Sequence, residues 1–241
     1  MTPSQVSEYD RRILDITQEL CLQLNITDYN PTFVSWEAFD SRVRGGVDFR
    51  YDDCLIEKYC VTLSAKMKEA LQPDEFRPII ASSLIFSKKL RRAGIQQSAI
   101  GFAFLVALAN VLLFALPILL PEPFTTTKGG STYSGNVGAA FAPITGFFLV
   151  IAGTFVFSVI IARRLRSEAD RRAADLVSPT SFLTTLNKIL GRISETGYDP
   201  SSRGTSTVLL AGSRGGPIPL LPDIQTRIAR LKKYSQIADS T

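Results

Sequence analysis

Two long runs without a charged residue limit the folds available to this sequence. The first covers residues 97–121 and the second covers residues 134–162. A helix needs roughly 20 apolar residues to cross the hydrocarbon core of a bilayer. We therefore predict a transmembrane hairpin with spans at about 98–120 and 138–162. The other interpretation, two buried core helices, is less suitable because a soluble domain of this size rarely needs two such helices.

Basic residues flank the two runs and predict their orientation. Four lysines or arginines lie within residues 88–92, and five arginines lie within residues 163–172. The polar connection between the runs contains Lys128 as its one basic residue. The positive-inside rule then predicts an integral membrane protein with both termini on the cytoplasmic side, or on its matrix or stromal equivalent.

The runs divide the chain into three parts, namely residues 1–96, the hairpin 97–162 and residues 163–241. The first part contains 13 Lys+Arg and 14 Asp+Glu, whereas the last contains 13 and 7. The excess positive charge is thus in the C-terminal part, where it predicts contact with anionic lipid head groups. Nucleic acid is not an expected partner, because no aromatic residues alternate with the basic ones.

The sequence contains no histidine, which excludes several kinds of catalytic site. A Ser-His-Asp triad and a Cys-His dyad are both impossible, and a zinc site would need cysteines and carboxylates. The three cysteines, Cys21, Cys54 and Cys60, match no zinc motif and are too few for a disulfide scaffold. We predict three reduced thiols and no cofactor.

The soluble parts combine a small sheet with several helices. Hydrophobic periodicity predicts an amphipathic helix ending near Leu24. Strand-like patterns occur at 33–36, 47–51 and 59–62, followed by helices at 64–71 and from Pro73 onward. After the second span, helix is predicted through Leu176, again from Pro179, and finally over 223–234. Residues 195–220 form a loop rich in Gly, Ser and Pro, with no readable function.

Small residues in the second span indicate close helix packing. They are Gly138, Ala142, Gly146 and Gly153, which lie on roughly one face. Small side chains let two helix backbones approach closely in a membrane. The face packs either against the first span or against another membrane protein. In the first span, Asn110 is a polar residue that needs a hydrogen-bond partner.

The order of the segments resembles that of the HtpX-type membrane zinc metallopeptidases, which include the CAAX prenyl protease relatives. In that family a small sheet precedes a helix with E-L-x-x-V-L-A-H-E-L-x-H, two membrane helices follow, and then E-x-x-A-D and H-P-D-x-x-x-R-I-x-x-L. The corresponding segments here are 75–86 (EFRPIIASSLIF), 166–176 (RSEADRRAADL) and 221–231 (LPDIQTRIARL). The resemblance implies an α+β membrane protein whose mostly helical, zincin-like soluble module is interrupted by the hairpin.

The resemblance also implies that the zinc-binding residues have been replaced. The first histidine falls on Ser82, the general base on Ser83 and the second histidine on Phe86. The third ligand falls on Arg166, and the late histidine falls on Leu221. A hydroxyl, a phenyl ring and a guanidinium do not hold zinc. We therefore predict no catalytic residue and no metal at these positions.

The residues alone leave two other kinds of catalytic or metal site possible. One is a Ser/Lys hydrolase using Ser82 or Ser83 with Lys88 or Lys89. Ser83 and Lys88 are about 140° apart on a helix, which is poor geometry for such a pair.

The other possible site is a metal site built from Glu168, Asp170 and Asp175. Asp170 and Asp175 are also about 140° apart on a helix, and Asp170 is instead expected to make a structural hydrogen bond or to pair with an arginine.

We expect a non-catalytic pseudopeptidase that acts as an accessory, scaffold or assembly subunit. Its expected partners are membrane lipids and another membrane protein or a larger complex. The alternative is an active membrane peptidase, either of the HtpX-like class or with an unrecognised Ser/Lys mechanism. The family frame further predicts that the helix with Ser82–Phe86 packs against the helix with Arg166–Asp170.

Overall fold

The computed structural model describes residues 7–37, 52, 54–57, 59–119, 123–128, 131–195 and 222–238. These residues form mainly helices, with one three-stranded and one two-stranded sheet. The chain divides into two compact units, Met1–Arg92 with Arg163–Thr241, and Ala93–Ala162. The predicted parts 1–96 and 163–241 therefore belong to one unit, and its first boundary is at Arg92 rather than at residue 96.

The helices and strands follow one another along the chain as seven α-helices and five strands within the described residues. In order they are α1 (Glu8–Gln23), β1 (Phe33–Glu37), β2 (Leu55–Ile56), β3 (Cys60–Ser64), α2 (Ala65–Lys68), a 3₁₀ turn (Pro73–Phe76), α3 (Arg77–Leu84), a π-helical segment (Ile85–Leu90), α4 (Arg91–Leu119), β4 (Pro123–Lys128), β5 (Ser131–Asn136), α5 (Val137–Val177), α6 (Pro179–Glu195) and α7 (Ile224–Ala238).

The first helix confirms the amphipathic pattern and its end near Leu24. Ser7 is the N-cap, and its Oγ accepts a hydrogen bond from the Asp10 backbone N–H at 3.1 Å. The apolar face includes Ile13, Ile16 and Leu20, all with no exposed surface. Burial of this face, rather than local propensity, provides most of the stability of such a helix.

The three-stranded sheet has the order β1-β3-β2, so β3 is central. All five residues of β3 are buried, as expected for a strand covered on both faces. β1 pairs with β3 in parallel, and β2 pairs with it antiparallel. The strands predicted at 33–36 and 59–62 are confirmed, whereas 47–51 lies outside the described residues. β2 was not predicted, because two residues are too few to show an alternating pattern.

One hydrophobic core joins the sequence-distant parts of the first unit. Its members come from α1, β3, α3, the C-terminal part of α5, α6 and α7. The largest fully buried apolar side chains include Phe76, Phe182, Leu63 and Met67. The helices predicted after Pro73, after Pro179 and near the C-terminus are thus confirmed as core elements, with α7 extending to Ala238.

The second unit contains the apolar parts of α4 and α5, which are long and apolar enough to cross a membrane. These helical segments are Arg92–Ala115 and Phe141–Val177. In each, only 11% of the most apolar 18-residue stretch is buried. Large apolar side chains such as Phe102, Phe104 and Phe147 point outward. A core helix of a soluble protein would bury these groups.

The connection between the two apolar helices differs from the predicted loop. It forms an antiparallel hairpin in which Phe124 pairs with Gly135 and Thr127 pairs with Thr132. Threonine-rich and tyrosine-containing stretches favour strands, and the sequence places Gly129-Gly130 between them. The polar composition of this segment had led to the prediction of a loop instead of a β-hairpin.

Candidate functional site

The 3₁₀ turn that leads into the helix with Ser82 and Ser83 begins with a capping box. The backbone N–H of Gln72 donates to Glu75 Oε2 at 2.9 Å within a capping box. Pro73 occupies the first turn, where its missing N–H costs no hydrogen bond. α3 then buries every residue from Pro78 to Leu84, so both serines lie inside the unit.

The opposite wall of the site is the C-terminal part of α5. Ala169, Ala173 and Ala174 have no exposed surface, and their small size permits a neighbouring helix to approach closely. Arg166 and Asp170 are one turn apart on the same face, with Arg166 Nε 3.8 Å from Asp170 Oδ1. Both side chains are almost fully buried.

The two helices meet at the residues that the resemblance had singled out. Ser82 Oγ donates to Asp170 Oδ1 at 2.5 Å, and Arg166 Nη1 donates to Ser83 Oγ at 3.5 Å. The Arg166 guanidinium lies over the Phe86 ring, 5.6 Å from its centroid. The predicted packing of Ser82–Phe86 against Arg166–Asp170 is confirmed. Arg166 thus contacts Ser83 and Phe86, and Ser82 is linked to it through Asp170.

A second arginine completes a buried ionic network, which confirms the expected hydrogen bond and arginine pairing of Asp170. Its other members, Arg227 and Asp52, were not predicted. Arg227 of α7 donates from Nε and Nη2 to the two oxygens of Asp170, at 2.8 and 2.7 Å. Its Nη1 donates to Asp52 Oδ2 at 2.7 Å and to the Asp52 carbonyl at 2.8 Å. Two guanidinium groups and two carboxylates are thus buried together, and their formal charges cancel. In the sequence, Arg227 was marked only by its place in the segment 221–231, which resembles the last family motif. No sequence pattern marked Asp52.

These residues do not suit a zinc ion. The positions around Arg166 offer two hydroxyls, a phenyl ring and a guanidinium, whereas zinc takes imidazole, thiolate or carboxylate ligands. The carboxylate of Asp170 is already engaged by Arg227 and Ser82. Leu221, the position of the late histidine, lies outside the described residues.

The carboxylate metal site expected as an alternative is dispersed. Glu168 pairs with Arg171 and Arg172, and these ion pairs lower its pKa despite partial burial. Asp175 accepts from the Tyr234 hydroxyl at 2.5 Å. In the part of the chain that the structure describes, no three His, Cys, Asp or Glu residues are grouped to hold a metal ion.

The Ser/Lys pair is also separated. Lys88 Nζ contacts Asp28 Oδ2 at 3.2 Å and lies 5.2 Å from the centroid of the Tyr29 ring. The Lys89 side chain is exposed, whereas both serines are buried. Neither lysine is in hydrogen-bond contact with Ser82 or Ser83 in the described structure, so the geometry does not favour this alternative.

The three cysteines, Cys21, Cys54 and Cys60, are buried free thiols. The Tyr29 hydroxyl donates to the Cys60 carbonyl at 2.9 Å. Burial raises the pKa of Cys21 to about 11, and burial followed by the nearby Glu57 carboxylate raises the pKa of Cys60. The thiols of Cys21 and Cys60 therefore stay protonated near neutral pH.

The raised thiol pKa values predict a loss of stability at alkaline pH. The folded state holds the Cys21 proton up to pH of about 11, whereas the unfolded thiol has a pKa near 9.0. The free energy of unfolding should therefore be independent of this group below pH 9 and should fall as the pH rises from 9 towards 11. Denaturant titrations of the purified protein in mild detergent at several pH values measure this decline.

The matched variant for this prediction is Cys21→Ala. Its alkaline decline should be smaller than that of the parent protein, because one titrating group has been removed while Cys60 and Tyr29 remain. An unchanged decline would show that Cys21 does not titrate differently in the two states.

The small-residue face of the second span packs within the hairpin. Gly146 lies against Ala109, and Gly153 lies against Leu105, so a methyl group at Gly153 would be 2.8 Å from a Leu105 carbon. Ala142 is also buried. The packing of Gly138 lies outside the described residues. Of the two interpretations left open, these contacts correspond to packing against the first span.

Among the glycines whose surroundings the structure describes, Gly101 leaves the least room for an added methyl group, so it gives a direct test of how the hairpin packs. A Cβ at this position would lie 1.8 Å from the Phe157 ring, so the ring must move in Gly101→Ala. We expect a destabilisation of about 1–2 kcal/mol, within the range for overpacking. The midpoint of thermal unfolding in mild detergent measures it.

The control is the double variant Gly101→Ala, Phe157→Ala, in which the added methyl group meets no ring. The cost of Gly101→Ala should largely disappear in the Phe157→Ala background. If the two substitutions are additive, the helices do not pack through this contact.

Comparisons with known proteins give no independent assignment. No protein-family model matches the chain, and no curated protein or solved structure matches it.

Proposed function

We propose that this chain is an integral membrane pseudopeptidase, a non-catalytic relative of the HtpX-like peptidases that acts as an accessory or assembly subunit. In this proposal the soluble unit keeps a zincin-like frame but has lost its chemistry. The hairpin anchors the chain, and the function is the binding of a partner membrane protein or complex.

The position of the Arg166 guanidinium is the observation that supports this proposal most directly. Arg166 is 1% exposed and contacts Ser83, Phe86 and Asp170, which lie at or beside the positions carried over from the zinc site. A buried positive charge repels a divalent cation, and at an effective dielectric constant of about 20 this repulsion amounts to several kcal/mol at contact distances. The charge network of Asp52, Asp170 and Arg227 joins α5, α7 and the Asp52 segment in the same region.

The outward-facing apolar surface of α4 and α5 supports insertion into a membrane. The basic residues at 88–92 and 163–172 support an orientation with both termini on the cytoplasmic, matrix or stromal side. They also place positive charge where anionic lipid head groups attract it.

Partner binding has two candidate surfaces in this proposal. One is the sheet, where an extended peptide adds to the outer edge of β1 by strand addition. The other is the lipid-facing surface of the hairpin, excluding the Gly146 and Gly153 face that already contacts α4. The protein can be purified from its native membrane in mild detergent, together with any bound partner. Variants of the sheet edge and of the hairpin surface then show which surface is needed to retain the partner.

The absence of zinc chemistry is tested with the purified full-length protein. Elemental analysis should find no stoichiometric zinc, and peptide cleavage, if seen, should be unaffected by chelators. One zinc per chain, removed by a chelator together with peptidase activity, would overturn the pseudoenzyme proposal.

The proposed topology has its own test in sealed vesicles. A protease added on the cytoplasmic side should cleave both Met1–Arg92 and Arg163–Thr241 regions, while the connection between the spans is protected. Protection of only one of these regions would contradict an even number of spans.

A further inference from the structure

A single amide interrupts the apolar surface of the first span. Asn110 is the only polar residue between positions 99 and 120. It lies on the exposed surface of the hairpin and not in its internal contact, which uses Gly101, Leu105 and Ala109. An exposed amide at this position faces hydrocarbon if the helix is inserted.

The hydrogen-bonding capacity of Asn110 is only partly used within the chain. Its Nδ2 donates to the Val106 carbonyl at 2.8 Å, one turn earlier in the same helix. Within the described structure, neither the second N–H nor the carbonyl Oδ1 of this amide has a partner. Lipid tails offer neither donors nor acceptors, so these groups are costly unless a protein group pairs with them.

The surroundings of Asn110 form a cleft open to one side of the hairpin. Its volume is about 280 Å³, and its open walls include Val106 and Leu113 from α4 with Pro143 and Phe147 from α5, while its floor is the contact between the two helices. Apart from the amide, the lining side chains are apolar. A lipid tail would fill this space but would leave the amide unpaired.

We propose that a second copy of this chain docks on the Asn110 cleft, with the two Asn110 amides hydrogen-bonded across a two-fold axis. An amide is both donor and acceptor, so it is complementary to itself. Two copies inserted with the same topology place Asn110 at the same depth, which an isologous dimer with its axis along the membrane normal requires. The apolar walls of the cleft then receive side chains of the facing helix.

This inference rests on the proposed membrane insertion and adds self-association to it. The test uses the full-length protein reconstituted in phosphatidylcholine vesicles, with separate donor- and acceptor-labelled preparations mixed at a series of protein-to-lipid ratios. Energy transfer between the labels should rise with the protein-to-lipid ratio and saturate as a dimer. In Asn110→Leu the dimer should dissociate at a protein-to-lipid ratio about ten-fold higher, as expected for one interhelical amide pair.

Two variants distinguish loss of the amide from a general effect on the hairpin. Asn110→Gln keeps the amide and should retain most of the association. Thr145→Leu makes a similar polar-to-leucine change at an exposed position of α5 and should leave association unchanged. Wild-type protein that stays monomeric, or equal association of wild type and Asn110→Leu, would overturn the inference.

Alkaline carbonate extraction of the same vesicles distinguishes a failure of the proposed dimer from a failure of the proposed membrane insertion. Protein that resists extraction but does not self-associate through Asn110 would refute the dimer while the membrane proposal stands. Protein that is extracted would refute membrane insertion, and with it the basis for pairing the amides.

Discussion

Replacing Arg227 with methionine is expected to destabilise the soluble unit by about 3–5 kcal/mol, because it leaves Asp52 and Asp170 buried without their shared cation. Arg227 is 2% exposed and donates four hydrogen bonds to these two residues. Methionine approximates the volume of the side chain, so the loss is of charge and hydrogen bonds more than of packing. Denaturant titration in mild detergent measures the free energy of unfolding.

The matched control is Arg230→Met, one turn later on the same helix. Arg230 is exposed and donates a hydrogen bond to Ser167 Oγ, so its replacement should change stability by about 0.5 kcal/mol or less. Arg227→Lys should recover only part of the loss, because an ammonium cannot reproduce the two-pronged contact with Asp170. Equal effects of Arg227→Met and Arg230→Met would contradict the role of the buried network.

If the soluble unit has the proposed zincin-like frame, introducing the four residues that the resemblance implies for a zinc site is expected to change metal binding from none to one zinc per chain. The variant combines Ser82→His, Ser83→Glu, Phe86→His and Arg166→Glu, which supplies two imidazoles, a base and a carboxylate at positions that the structure brings together. The introduced imidazole at position 82 would lie beside Asp170, a suitable carboxylate to orient it. Elemental analysis should find one zinc per chain. Calorimetry should give a zinc dissociation constant of about one micromolar or tighter.

The control for this experiment keeps Arg166 and changes only the other three positions. It should bind no stoichiometric zinc, because the guanidinium still occupies the space among the ligands and repels the ion. Circular dichroism and thermal unfolding establish that both variants are folded. Zinc in the three-residue variant would refute the role of Arg166, and a folded four-residue variant without zinc would refute the proposed zincin-like frame.

The long helices were predictable because their cause is local. The absence of charge over residues 97–121 and 134–162 is a property of consecutive residues, and it predicts apolar helices whatever they pack against. The amphipathic pattern of Ile13, Ile16 and Leu20 predicts α1 in the same way. The two-residue strand Leu55–Ile56 was missed because it exists only through pairing with β3.

The residues of the site and the contact between their two helices were predictable, but the ionic partners of Asp170 were not. The resemblance led to Ser82, Ser83, Phe86 and Arg166, and the helix contact predicted from it is confirmed. Asp52 was missed because it is 175 residues from Arg227, and no local pattern marks a carboxylate that pairs across such a distance. Small residues at Gly146 and Gly153 predicted packing, yet only their contacts with Ala109 and Leu105 identify the partner helix.

The two long apolar helices and the lack of histidine for acid–base or zinc chemistry follow from which residues are present and in what order, so they could be predicted without a structure. The contact of Arg166 with Ser83 and Phe86, and the link that Arg227 makes between Asp170 and Asp52, arise only when the chain folds. Burial of a charge is tolerated only where opposite charges and hydrogen bonds meet it, and those partners come from segments that folding brings together.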